Sequence, residues 1–262
     1  LSLVYGLHMK IEGVATGTVI AQYAGLLAAL FLLRKHYTRL TPYYQRNEVF
    51  IKGGTLKFFS INKDIFLRTL CLVFTNLYFT STGARLGTII LATNTVILQL
   101  YLLFSYIMDG FAYAGEALGG RLYGAHNAQG FQKMVRRIFG WTLALTAAYT
   151  LLYIIGSLDF IKLLTDEEAV LQTAQAYIYW AWGIPAAGAA AFIWDGIFIG
   201  TTATKGMLTS AFLSTIGFLA ICLLTEPIIG NHGLWLAMIA YLALRGIIQT
   251  FIYFKSDKYK FN

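Results

Sequence analysis

The sequence has 262 residues, of which 58% are hydrophobic and 12% are charged, and its mean hydropathy is +0.63. Soluble domains carry about 25% charged residues, and the apolar runs here recur at about the 20-residue length that crosses a hydrocarbon core. The composition therefore excludes an ordinary soluble domain, and the net charge of +8, concentrated in loops between apolar runs, argues for topology signals and against nucleic-acid binding.

The first third of the chain alternates one apolar span with one basic segment. Residues 1–12 read as the end of a helix and a short loop, and because Leu1 lies inside an apolar stretch we expect a partial chain. The span 13–33 is rich in glycine and alanine, which allow close helix packing. The segment 34–63 has seven basic residues, which predicts a cytoplasmic linker near lipid headgroups. Within it we expect a strand or an interfacial turn over 55–61.

Three further spans follow. The span 64–84 carries Arg68 one turn from its start, where the side chain can return to the near membrane face. A short turn precedes the apolar run 88–123, which would be about 54 Å long if fully helical. This run must therefore tilt, kink at its glycines or project into water. The next span is predicted over 131–155.

The last part of the chain predicts three more spans. After an acidic loop at 157–168, the span 169–199 is expected to break near Gly183–Pro185, because proline kinks a helix. The spans 207–224 and 233–254 complete a set of about seven transmembrane helices, an all-α fold. Alternating the sides places every basic loop on one side, which predicts a cytoplasmic C-terminus.

Two acids stand in the long apolar run 88–123. Asp109 and Glu116 are seven residues apart, so a helix presents both on one face with Tyr113 between them. Acids in a membrane helix are costly and mark a cavity or an ion path, and burial brings a carboxyl toward the pKa range that proton antiport needs. Alternatively, one acid pairs structurally with Arg121 or Arg245, or both lie near the cytoplasmic edge.

Asp195 and Arg245 are the other charged candidates. Asp195, near the end of a proline-containing helix, is a candidate for proton or cation coupling; alternatively, it ties down the turn 201–206. Arg245 lies in the middle of the last span, where it needs a partner. We expect a structural ion pair with Asp195, Asp109 or Glu116.

Polar and aromatic side chains supply further candidates for the lining of a cleft. Asn94 and Gln99 are expected either to form interhelical hydrogen bonds or to face the cleft. Tyr106 and Tyr113 can bind organic cations through their ring faces. The aromatic residues at 177–182 are better explained as an interfacial belt.

Enzyme motifs are missing from the sequence. It has no GxSxG, P-loop or HExxH pattern, and its four histidines have no metal-ligand spacing. We therefore expect no enzymatic activity, no cofactor and no bound catalytic metal. Any transport would be driven by an ion gradient, with H⁺ or Na⁺ as the coupling ion, or by a partner.

Four motifs resemble one transporter family. SYIMDGFAYAGEALGGRLYGA, at 105–125, resembles the eighth helix of MATE (multidrug and toxic compound extrusion) transporters of the DinF-like branch. FIWDGIFIGTTATKGM, at 192–207, resembles the end of that family's tenth helix and the following turn. GNHGLWLAMIAYLALRG and MKIEGVATGTVIAQY resemble the beginnings of its twelfth and sixth helices. The order and spacing agree, so the resemblance covers essentially the whole chain.

The resemblance implies a fold of two six-helix lobes around a central cleft. Residues 1–33 would end the N-terminal lobe, 34–63 would link the lobes, and 64–262 would form the C-terminal lobe. Helices one to five of such a twelve-helix transporter have no counterpart here. The proton-linked acid of this branch lies on the first helix, so a missing N-terminal lobe is an implied partner, together with the lipid bilayer.

The function implied is multidrug efflux across a bacterial inner membrane. A secondary active exporter would exchange a small cationic or amphipathic substrate for H⁺ or Na⁺ by alternating access. One alternative is a flippase for an anionic lipid-linked oligosaccharide or precursor, although Arg245 is the only basic residue that the sequence places deep in the bilayer. The other is an inactive half-transporter or membrane scaffold.

Overall fold

The computed structural model describes residues 11–38 and 52–256. Their regular structure is helical throughout, as predicted, and no strand occurs in these ranges. The helices are α1 (Ile11–Tyr37), α2 (Lys52–Leu86), α3 (Thr88–Gly124), α4 (Ala128–Leu164), α5 (Glu168–Tyr177), α6 (Tyr179–Gly200), α7 (Thr204–Ile229) and α8 (Asn231–Lys255).

Seven of these helices are long and apolar enough to cross a membrane, and α5, with ten residues, is the exception. This number confirms the prediction of about seven spans in an all-α polytopic membrane protein. A helix must satisfy its own backbone hydrogen bonds in lipid, which explains why apolar runs of this length form helices.

The chain divides into two compact units, Leu1–Lys57 and Phe58–Asn262. The described part of the first unit consists of α1 and the beginning of α2. The second unit contains the rest of α2 and all later helices. Residues 1–10 of the predicted N-terminal segment, the middle of the basic linker and residues 257–262 lie outside the described residues.

Several helix boundaries differ from the predicted ones. The strand or turn expected at 55–61 is wrong, because these residues belong to α2. The acidic loop expected at 157–168 is shorter, because α4 continues to Leu164 and Ile161 is fully buried. The break expected at Gly183–Pro185 occurs instead at Ile178, and α6 continues through the buried Pro185. Neighbouring helices can hold such a proline in a membrane bundle.

The centre of the second unit is α6. It packs against α3, α4 and α8, and each of its residues from 191 to 198 is buried. A helix that is apolar on all sides belongs inside a bundle. Since Asp195 lies within this stretch, the fold encloses a carboxyl group in the protein interior.

Two glycines allow α6 to approach α3 very closely. A Cβ atom on Gly196 would lie 2.1 Å from the carbonyl oxygen of Ala112, and one on Gly200 would lie 2.2 Å from that of Glu116. The two glycines are four residues apart and therefore share one helix face. This is the small-residue spacing that brings membrane helices into backbone contact.

By contrast, α2 is joined to its neighbours through side chains. Asp64 accepts a hydrogen bond of 3.0 Å from Thr204 of α7, and Thr75 lies 3.3 Å from the Thr215 hydroxyl, also of α7. Further along, the ring of Phe79 packs edge-on against an α8 tryptophan at 5.1 Å. Both polar and aromatic side chains therefore join α2 to α7 and α8.

Candidate functional site

A buried charged cluster joins α2, α6 and α8. It consists of Arg68, Asp195, Arg245 and Gln249, and we refer to it as the Asp195 cluster. Arg245 Nη2 donates to Asp195 Oδ2 at 2.6 Å, Gln249 Nε2 donates to Oδ1 at 2.6 Å, and Arg68 Nη2 also contacts Oδ2. Arg245 and Gln249 are one turn apart on α8, so both reach the same carboxylate.

The cluster carries two cations and one anion. Arg245 is 2% exposed and Asp195 is 6% exposed, so little water screens their interaction. Arg245 also lies over the ring of Tyr241, at 5.6 Å from its centroid, which gives the guanidinium a second favourable contact. The negative charge of the Asp195 carboxylate is therefore balanced by the guanidinium groups, and both of its oxygens accept hydrogen bonds.

The structure brings two of the sequence candidates together in this cluster. Arg245 pairs with Asp195, which was one of three partners expected for it. Arg68 was expected to reach back toward the membrane face; instead it turns inward to Asp195, and its side chain is 19% exposed. Gln249 and the buried Asp64 were not singled out from the sequence, because only the packing of separate helices shows that they have partners.

Asp109 and Glu116 are placed differently from Asp195. Both are partly buried on α3, and neither forms a hydrogen bond or ion pair with another described residue. Asp109 is close enough to Arg68 and Asp195 to interact with both of them electrostatically. Within the described ranges Arg121, a possible partner, is exposed and forms no ion pair.

Three other candidates share an open face of α3. Gln99, Tyr106 and Tyr113 recur at seven-residue intervals, and all three are exposed, the tyrosines by 71% and 67%. Side chains at this spacing lie close to one line along a helix. They are available to a ligand or to another part of the protein.

Asn94 faces the interior instead. It exchanges two amide hydrogen bonds with Asn231, of 2.7 and 2.9 Å, and its Oδ1 also accepts a hydrogen bond of 2.8 Å from Trp235 Nε1. Both asparagines are buried. The sequence allowed Asn94 either to form an interhelical hydrogen bond or to face the cleft. In the structure it forms interhelical hydrogen bonds, which join α3 to α8.

We expect Asn94→Leu to destabilise the protein by about 1–3 kcal/mol, because it leaves the Asn231 amide and the Trp235 N–H buried without partners. Asn76→Leu is the matched control, since Asn76 is exposed and bonds only to a carbonyl of its own helix. Unfolding in mixed detergent measures both effects. Equal losses in the two variants would contradict a structural role for the Asn94 amide network.

A family model described as MatE matches residues 65–224, which is more than half of the chain. The chain belongs to the MatE family. The matched region extends from the start of the second predicted span to α7. It includes Arg68, Asp109, Glu116 and Asp195 of this chain, whereas Arg245 and Gln249 lie beyond it.

Curated proteins from a bacterium and a plant resemble this MatE chain. DNA damage-inducible protein F of Escherichia coli (strain K12) is 37% identical over 245 residues, covering 94% of this chain and 53% of that protein. Protein DETOXIFICATION 44, chloroplastic, of Arabidopsis thaliana is 26% identical over 254 residues, covering 93% of this chain and 46% of the plant protein. The chain thus spans about half the length of the curated relatives that it matches, and it belongs to the DinF-like branch.

Proposed function

We propose that this chain forms the C-terminal lobe, preceded by one helix, of a multidrug exporter in a bacterial inner membrane. The substrate would be a small cationic or amphipathic organic compound, exchanged for H⁺ or Na⁺ by alternating access. Membership of the MatE family and the similarity to a protein named for detoxification support efflux as the activity. The excess of basic residues in alternate loops supports a cytoplasmic C-terminus.

The observation that carries the mechanism is the difference in partners between Asp195 on the one hand and Asp109 and Glu116 on the other. Asp195 is held by two guanidinium groups and one amide, so its charge is already balanced. Asp109 and Glu116 are only partly buried and have no cationic partner within hydrogen-bond distance among the described residues. We therefore assign coupling in this lobe to Asp109 and Glu116, and charge balance to Asp195.

The exposed face of α3 completes the proposal. Tyr113 and Tyr106 would offer ring faces to an organic cation, and Gln99 would add a hydrogen-bonding group. Since these side chains lie beside the stripe that carries Asp109 and Glu116, a substrate cation and a coupling ion would compete for one region. Competition of this kind is the basis of exchange, because occupation by one ion favours release of the other.

One observation favours the alternative function, a flippase for an anionic lipid-linked precursor. Arg68 joins Arg245 in the interior, so the Asp195 cluster holds one cation more than its single carboxylate balances. An anionic cargo would need such an excess. Both guanidinium groups are, however, directed at Asp195, which supports a structural role and leaves drug export as the preferred function.

The coupling proposal predicts that Asp109→Asn and Glu116→Gln reduce drug-driven proton release at least about tenfold, because neither neutral side chain can carry the exchanged proton. The complete protein would be reconstituted in vesicles, with Na⁺ flux recorded in parallel. Asp159→Asn is the control, since Asp159 is exposed and pairs only with Lys162.

Each result bears on a different part of the proposal. Normal release in both acid variants would remove Asp109 and Glu116 from the mechanism. If the unaltered protein moves an anionic lipid-linked precursor and no organic cation, the flippase is the correct function. If it moves neither, the efflux proposal fails and a membrane scaffold remains.

A further inference from the structure

A cavity of about 500 Å³ opens where α4, α6 and α8 meet. Its polar end is formed by Gln132 and Arg136, in the first turns of α4, and by Ser256, just after α8. Aromatic side chains form most of the rest of its wall, among them Phe139 and Tyr253. A site with one polar end and apolar walls suits an amphiphile.

A second cavity, of about 470 Å³, continues the first along the seam between α6 and α8. The two share Thr250 and Phe254 in their walls. The lining of the second is formed mainly by small and apolar residues, including Ala190 and Gly246. Small side chains keep α6 and α8 close together at this contact, and the cavity beside it is a narrow apolar groove.

The length of the combined groove agrees with one leaflet of a bilayer. From Ser256, at the end of α8, to Ala243, near its middle, the helix rises about 20 Å. Half of a hydrocarbon core is about 15 Å, and the headgroup layer adds the remainder. The polar end therefore lies at headgroup depth, and the apolar groove extends toward the centre of the membrane.

The charge at the polar end selects the ligand. Arg136 is exposed and forms no ion pair with any described residue, and no acidic side chain is among the described residues that line either cavity. A cationic drug would be repelled here, whereas the phosphate of a lipid headgroup would be attracted.

From this combination of shape and charge we infer that the groove binds an anionic phospholipid. The headgroup phosphate lies against Arg136 and Gln132, and an acyl chain follows the seam between α6 and α8. The lipid fills a gap between three helices and so holds the ends of α4 and α8 against α6. This site is separate from the open face of α3, and it does not depend on the transport proposal.

The test compares two neighbouring arginines that carry the same charge. Arg136→Gln removes the guanidinium that lines the groove, and Arg137→Gln removes one that does not. The complete protein is purified from membranes containing phosphatidylglycerol and phosphatidylcholine, and the retained lipid is counted by native mass spectrometry. We expect Arg136→Gln to retain about fivefold less phosphatidylglycerol, which is the contribution of one basic residue at an anionic surface, and Arg137→Gln to retain the normal amount.

A second variant tests the acyl-chain part without changing charge. Phe254→Ala removes a largely exposed ring shared by both cavities, so folding is expected to be unaffected while retention of phosphatidylglycerol falls. If both arginine variants lose the same amount of phosphatidylglycerol, the lipid is attracted by the general positive charge of the surface and not by the groove, and the proposal is overturned. Unchanged retention in Arg136→Gln, equal retention of both lipids by the unaltered protein, or normal retention in Phe254→Ala would overturn it as well.

Discussion

Asp195→Asn is expected to destabilise the protein by about 3–5 kcal/mol, the usual effect of removing one partner from a buried ion pair. The variant leaves Arg68 and Arg245 charged in the protein interior without a counterion. The introduced amide could still accept a hydrogen bond, but it would not balance a positive charge. The free energy of unfolding in mixed micelles, measured on the complete protein, gives the effect.

The matched control for this variant is Asp109→Asn. Asp109 is also an acid in a membrane helix, but it has no ion pair with a described residue, so the expected loss of stability is below about 1 kcal/mol. A second comparison replaces all four residues of the Asp195 cluster by apolar residues of similar volume. This replacement should recover most of the stability, because it removes the unbalanced charge. Equal stability of the two aspartate variants would show that Asp195 is not the counterion.

Gly196→Ala is expected to separate α3 from α6 and to destabilise the protein by about 3 kcal/mol, the upper part of the range for an overpacked interior. The added Cβ would lie 2.1 Å from a backbone oxygen of α3, whereas ordinary contacts begin at 3.4 Å. A backbone atom in a helix cannot rotate away as a side chain can, so the whole helix has to move.

Gly188→Ala on the same helix is the control for Gly196→Ala. A Cβ atom there would first meet the ring of Phe192 at 3.4 Å, an ordinary contact. Alanine also favours the helix by up to about 1 kcal/mol relative to glycine, so the control should unfold at nearly the normal denaturant concentration. If Gly196→Ala behaves like the control, the close contact between α3 and α6 does not contribute to stability.

The number of spans was predictable from the sequence, whereas the ends of the helices were not. Hydropathy reports which residues cross lipid, and it carries no information on how far a helix continues into the headgroup layer. The helix α2 therefore starts at Lys52, well before the span predicted from 64, and α4 extends to Leu164. In both places the helix continues beyond the apolar run that signalled it.

The candidate site was predictable in its parts but not in its pairing. A lone arginine in a span requires a partner, which made Arg245 recognisable, but three acids were possible partners. Arg68 lies so close to the start of its predicted span that a path to the membrane surface was equally reasonable. The choice of Asp195 depends on how α2, α6 and α8 are arranged around one carboxylate.

The contact between Gly196 and α3 had a visible signal in the sequence. Gly196 and Gly200 form the GxxxG pattern of closely packed membrane helices. The pattern indicates a contact face without identifying its partner, which the structure shows to be Ala112 and Glu116.

The two ways in which helices are joined in this chain have a mechanical consequence. At Gly196 and Gly200 the contact is backbone against backbone, so at these two positions no side chain lies between α3 and α6 that could change rotamer, and we expect the two helices to move together. The contacts of α2, through Asp64, Arg68 and Thr75, end in groups that can exchange one hydrogen-bond partner for another. We therefore expect α2 to be the element that slides when the protein changes shape, with its hydrogen-bonding side chains re-forming their contacts one at a time.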